Sequence, residues 1–207
     1  MKSLTTALLS GLSLLSLATA SPLQHLGARD DPVCPADGYL PADPAAWLFP
    51  VGIYPVSASN PDTAYGTVYS PKITPGDFCT IFNLYVPESA AGKTCTLKFF
   101  FPDQSQLRTS SYTYEGAGHF TFTGYAFGSG ATDQTTWNNQ PPAGPSPPSP
   151  PAVLAPGNAY VINAGDCGVQ AGQGSLEVSG MLCSSDTTFE YFQDSDLCPI
   201  GFYVVIS

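Results

Sequence analysis

Positive charge is scarce in this sequence. Six Lys and Arg stand against sixteen Asp and Glu, a formal net charge of −10 at pH 7. Nucleic-acid binding needs clustered Lys and Arg opposite phosphate, so a nucleic-acid partner is excluded. Docking on an anionic membrane surface is excluded for the same reason. Histidine is nearly absent, with only His25 and His119. A Ser or Cys hydrolase needs a histidine base. His25 lies near the N-terminus, His119 opens a strand-like run, and no G-x-S-x-G elbow occurs. There is no C-x-x-C pair for zinc and no EF-hand spacing for calcium. A copper site built on an N-terminal histidine fails too, because cleavage after Ala20 exposes Ser21. No cofactor or metal is expected. Beyond residue 20 no apolar run is long enough to span a membrane, and no N-x-S/T glycan acceptor follows it.

What is present points outward from the cell. "MK", the apolar "LTTALLSGLSLLSLA" and "ATA" ending at Ala20 have the layout of a secretory signal peptide over residues 1–20. Its loss removes Lys2 and takes the net charge from −10 to −11. Residues 21–47 read as an extended Pro-rich leader, tied down at most by Cys34. Six cysteines follow the signal: Cys34, Cys79, Cys95, Cys167, Cys183 and Cys198. In an oxidising compartment their default is disulfides. Six cysteines allow 15 pairings, and spacing does not choose among them.

Residues 48–207 break into short alternating runs divided by turn residues. "WLFPVGIYPV", "TAYGTVYS", "FCTIFNLYV" and "TCTLKFFF" come first. In the last of these Cys95, Leu97, Phe99 and Phe101 share one face, and Thr96 and Lys98 the other. "SSYTYE" and "HFTFTGYAF" read as a hairpin around "GAG". "NAYVIN", "SLEVSGML", "TFEYF" and "GFYVVI" complete the set. No segment keeps an apolar period of 3.6. The expected fold is all-β: a single, disulfide-stabilised antiparallel β-sandwich, jelly-roll-like and monomeric. "PPAGPSPPSPP", residues 141–151, reads as a stiff surface loop of polyproline II character, with Ser146 and Ser149 as O-glycan acceptors.

Two chemistries fit such a domain. Glycan binding needs exposed rings on a rigid face, and Trp137, Tyr65, Tyr69 and Phe192 are the candidates, with Glu190 beside them. Glycoside hydrolysis needs two carboxylates across a cleft. Of the glutamates, Glu88 lies in a turn, Glu115 at a strand end, and Glu177 alternates toward solvent. Glu190 is flanked by rings, with Asp62, Asp166, Asp194 or Asp196 as its partner. The segment "TTFEYFQDSDLCPIGFYV" sharpens the choice. Alternation puts Phe189 and Tyr191 on one face, and Glu190 with Phe192 on the other. Asp194, Asp196, Pro199 and Gly201 then mark a turn, so the segment reads as a closing β-hairpin with Asp194 and Asp196 as turn residues. No catalytic residue is assigned.

"DFCTIFN", "AGKTCTL", "FFFPDQSQL" and "FEYFQD" followed by "PIGFY" resemble the fungal ubiquitin 3 binding protein But-two C-terminal domain family, from Tyr54 to Val205. The Pro-rich insert and Cys183 depart from its pattern. The resemblance implies a small secreted or cell-surface fungal protein, with no catalytic residues to carry over. Its partners would be cell-wall polysaccharide or a host surface. The family's name implies another role, binding to the activating enzyme of a ubiquitin-like modifier. A signal peptide would place this chain across a membrane from that enzyme.

Overall fold

Short apolar and alternating runs produce strands between residues 47 and 206. The computed structural model describes residues 31–145 and 148–207. The signal peptide, its cleavage site at Ala20, His25 and Ser146 lie outside the described residues. Eleven strands are β1 (Trp47–Leu48), β2 (Gly52–Ser57), β3 (Lys72–Ile73), β4 (Phe78–Val86), β5 (Thr94–Phe101), β6 (Tyr112–Glu115), β7 (Phe120–Gly124), β8 (Asn158–Asp166), β9 (Leu176–Ser184), β10 (Thr188–Tyr191) and β11 (Gly201–Ile206). Among the described residues there is no α-helix, and no helix long and apolar enough to cross a membrane.

The strands form three antiparallel sheets, ordered β1-β11-β5-β8, β2-β4-β9-β7 and β3-β10-β6. The two four-stranded sheets pack face to face. Phe82 of one meets Phe202 of the other with ring centroids 4.8 Å apart, and Phe122 meets the same Phe202 at 5.1 Å. The small sheet contributes Ile73, Phe189 and Tyr191 to this same core. Phe189 and Phe101 lie 4.8 Å apart. Each fully buried Phe contributes about 1.5–3 kcal/mol from the area it removes from water. All-β sandwich packing is therefore observed, with a third sheet added.

Chain neighbours pair less often than the sequence suggests. The "TAYGTVYS" segment forms no strand: residues 63–70 run as coil and bend. β6 and β7 are not a hairpin, because β6 pairs with β10 and β7 with β9. β4 and β5 lie in different sheets, so the 87–93 turn bridges the sandwich. The expected closing hairpin also splits, since β10 belongs to the small sheet and β11 to a large one. A single bridge, Asp194 to Ile200, holds the turn between them. There Gln193 substitutes for a strand. Its Nε2 donates to Phe202 O at 3.0 Å and its Oε1 accepts from Phe202 N at 3.2 Å. Asp194 and Asp196 are turn residues, as their composition suggests.

The six cysteines pair as Cys34–Cys198, Cys79–Cys183 and Cys95–Cys167. Cys183 of β9 lies beside Cys79 of β4, one step beyond the pair Thr80–Leu182. The segment from residue 31 is held by more than Cys34. Gln106 Nε2 donates to Val33 O at 2.5 Å, Lys98 Nζ donates to Asp37 O at 2.9 Å, and Arg108 pairs with Asp31 at 2.9 Å. Residues 31–207 accordingly form one compact unit. Trp47 packs against Tyr203 at 5.7 Å, and Phe100 against Tyr203 at 5.5 Å. Phe100 and Tyr203 sit on the nominally solvent face of their sheet, yet both are buried.

The Pro-rich loop is anchored at its start. Ala143 bridges to Tyr125, Gly144 N donates to Gly124 O at 2.8 Å, and Ala126 N donates to Pro142 O at 2.9 Å. These bonds lay its start along the end of β7.

Candidate functional site

The four rings chosen from sequence do not assemble into one platform. Tyr69 and Phe192 are exposed, 6.5 Å apart, with planes tilted by 43°. Tyr65 packs edge-on against Phe78 at 5.3 Å, and Lys72 Nζ lies 4.3 Å over the Phe78 ring. Trp137 sits elsewhere. It opens a short turn, Trp137–Asn139, and is half-buried against the cluster of Val56, Ile81 and Met181.

Glu190 is exposed on the outer face of the small sheet, paired in register with Lys72 on one side and Thr113 on the other. Neither concave site described below includes it. The nearby acids are engaged elsewhere. Asp196 accepts from Arg108 Nε at 3.0 Å and Nη2 at 2.8 Å, and Thr109 Oγ1 donates to Asp194. The Arg108 hydrogen bonds hold the Asp196 carboxyl down, to about 2. Asp194 and Asp196 line neither concave site either.

His119 is exposed, with Nδ1 2.5 Å from Asp186 Oδ2. The hydrogen bond from Thr187, and then that from His119, lowers the Asp186 carboxyl. The Ser184 hydroxyl in this network donates to the His119 carbonyl at 2.7 Å rather than to its ring. No nucleophile–base pair arises from it.

A concave site does form on the outer face of β2, β4 and β9, and sequence reasoning missed it. Alternation along β4 sends Phe82 and Leu84 into the core and Asn83 and Tyr85 outward. Tyr85 stands directly opposite Glu177, and Asn83 opposite Gly52 on β2. The loop 130–133 folds over this face. Asn83 is buried and clamps the loop: its Nδ2 donates to Ala131 O at 2.8 Å, and its Oδ1 accepts from Ala131 N at 3.0 Å. The same Nδ2 donates to Glu177 Oε1 at 3.1 Å. Glu177 is therefore half-buried and held, not a solvated strand residue. Gly130 lies so close that a Cβ there would collide with the Glu177 carboxylate.

The resulting groove has a volume of about 500 Å³. Tyr54 and Tyr85 offer rings and phenol groups, while Asp133 and Glu177 offer carboxylate acceptors. Asp133 Oδ1 is set by the backbone N–H of Thr67 at 3.2 Å. The charge of Glu177 raises the Tyr85 phenol above its ordinary value. Burial, and then the charge of Asp133, raises that of Tyr54. Both phenols keep their protons at neutral pH and donate as well as accept. The signal that could have found the site is the polar Asn83 inside the apolar run "FCTIFNLYV", since a buried amide needs partners. Among the described residues no group of three or more His, Cys, Asp or Glu side chains converges to hold a metal ion.

A family model described as ubiquitin 3 binding protein But2 C-terminal domain matches residues 48–196. No curated protein and no solved structure matches the chain.

Proposed function

The chain belongs to the But2 C-terminal domain family, and from that premise we propose that it is a secreted, non-catalytic extracellular protein that binds glycan in the groove of Tyr54, Tyr85, Asp133 and Glu177. The observation that carries this reading is the groove itself. Rings supply apolar faces for sugar C–H groups. Convergent donors and acceptors supply the partners that sugar hydroxyls need when they leave water.

Three disulfides support the extracellular placement. Such bonds persist outside the cytosol and are reduced within it. They weigh against an intracellular role of the kind the family description suggests. The non-catalytic reading rests on how the carboxylates are used. Glycoside hydrolysis needs two carboxyls free to meet the scissile bond. Glu177 instead accepts from the Asn83 amide and Asp133 from a backbone N–H.

The test is retention of the purified protein on insoluble chitin, β-glucan and cellulose. Retention on at least one supports the reading. Passage through all three, or release of soluble sugars from any of them, overturns it.

A further inference from the structure

We propose that the cavity between the two large sheets binds an amphiphile with one hydrocarbon chain and a hydrogen-bonding end that carries no negative charge, such as a long-chain alcohol. The cavity has a volume of about 360 Å³. Protein interiors pack at crystal-like density and rarely leave such room, while ligand sites of a few hundred Å³ are ordinary.

Its origin lies in glycines at core-facing positions. Gly124 of β7 pairs with Gly180 of β9, and Gly180 pairs in turn with the core residue Phe82 of β4. Across the sandwich, Gly165 of β8 pairs with Cys95, on the inward face of β5. All three glycines line the cavity. Sandwich cores are filled by side chains at such positions, and here there are none. A Cβ added at Gly165 would meet nothing within 4 Å, and its backbone lies outside the left-handed region.

The walls are apolar: Leu84, Leu97, Phe122, Val178, Phe202 and Val204. Phe127, Pro145 and Pro148 stand at the same cavity. Phe127 leaves 67% of its surface exposed, an apolar ring whose burial awaits a partner. The hydrogen bonds of Gly144 and Ala126 already fix this part of the Pro-rich loop to the end of β7.

The polar end of the ligand follows from the lining too. Asn163 and Asp166 of β8 are exposed, and no Lys, Arg or His is among the lining residues. A carboxylate or phosphate headgroup would face Asp166 without a counter-charge, in a chain of net charge −10. The Asp166 carboxylate accepts one hydrogen bond, from Gly168 N–H at 2.7 Å, and keeps acceptor capacity for a donor on the ligand. The Asn163 amide both donates and accepts, which suits a hydroxyl or amide. This site lies on the inner face of the sheet whose outer face carries the groove, so it stands or falls independently of glycan binding.

The test uses the purified, disulfide-bonded protein with tritiated hexadecanol and hexadecanoate, separated from free ligand on gel-filtration columns. Saturable retention of hexadecanol is expected, with hexadecanoate about tenfold weaker. Gly165→Phe fills the cavity and is expected to weaken hexadecanol retention at least about tenfold, with an unchanged or raised melting temperature. Gly165→Leu serves the same purpose if the larger ring prevents folding. Absence of hexadecanol retention overturns the proposal, as does undiminished retention by a folded Gly165 variant. Equal or tighter binding of the acid overturns the assignment of the polar end.

Discussion

Asn83 and Glu177 meet diagonally across β4 and β9, with Asn83 Nδ2 donating to Glu177 Oε1 at 3.1 Å. They are not register partners, since Tyr85 stands opposite Glu177 and Ser179 opposite Asn83. The amide has its second donor and its acceptor on Ala131. One buried side chain thus holds both the loop that walls the groove and the acid that lines it.

Asn83→Ala is expected to destabilise the fold by about 1–3 kcal/mol, because it leaves the Ala131 N–H and C=O without their partner in a buried place. Denaturant unfolding measures this. Glu177→Ala, at a half-buried site with Asn83 still bonded to Ala131, is expected to cost less.

The Cys34–Cys198 bond joins residues 164 apart and ties the 31–46 segment to the turn before β11. Replacing both cysteines by Ala is expected to lower stability by about 2–5 kcal/mol. Limited proteolysis should then cut first near residues 31–46, where the remaining anchors are side-chain bonds to Val33 O, Asp37 O and Asp31.

Arg108 and Asp196 set an acid limit on stability. The folded carboxyl titrates at about 2, below the roughly 3.9 of an unfolded aspartate. Its contribution is complete above the unfolded value and is lost as pH falls through the folded one. The pair lies at the surface, so solvent screening keeps its contribution small. Melting temperatures between about pH 2 and pH 5 should fall more steeply for the parent protein than for Arg108→Ala. Parallel curves would contradict this.

Gly201 begins β11 at φ +107, and a Cβ there would collide with Gln193 Oε1. Gly201→Ala is expected to cost more than about 1 kcal/mol. Gln193→Ala in the same background should recover part of the loss, since it removes the obstructing amide. A cycle of the four proteins measures the coupling.

How much of this was legible depended on where each residue's partner lies. Leu97, Phe99 and Phe101 announce the core face of β5 by alternation alone, and that face is the core. Phe100 on the opposite face does not, because its burial depends on Tyr203 in a distant strand. Phe189 and Tyr191 were readable as inward, and Glu190 and Phe192 as outward. The partners of β10 were not, because turn composition marks a reversal without saying which sheet the chain enters next. Glu177 points outward as alternation says, but outward there means under a loop clamped by Asn83, 48 residues from Ala131 in sequence. Trp137, Tyr65, Tyr69 and Phe192 were picked by ring type, which carries no information on whether rings share a plane.

The account's central claim is that the groove on β2, β4 and β9 holds glycan. The direct measurement is retention on chitin, β-glucan and cellulose of the parent protein beside Tyr85→Ala, Glu177→Ala and Tyr69→Ala. The account predicts that the parent and Tyr69→Ala are retained on the same polysaccharide. Tyr85→Ala and Glu177→Ala should each lose about 1–3 kcal/mol of binding, because each leaves a desolvated sugar hydroxyl without its partner. Retention that survives both groove substitutions and disappears with Tyr69→Ala would contradict it.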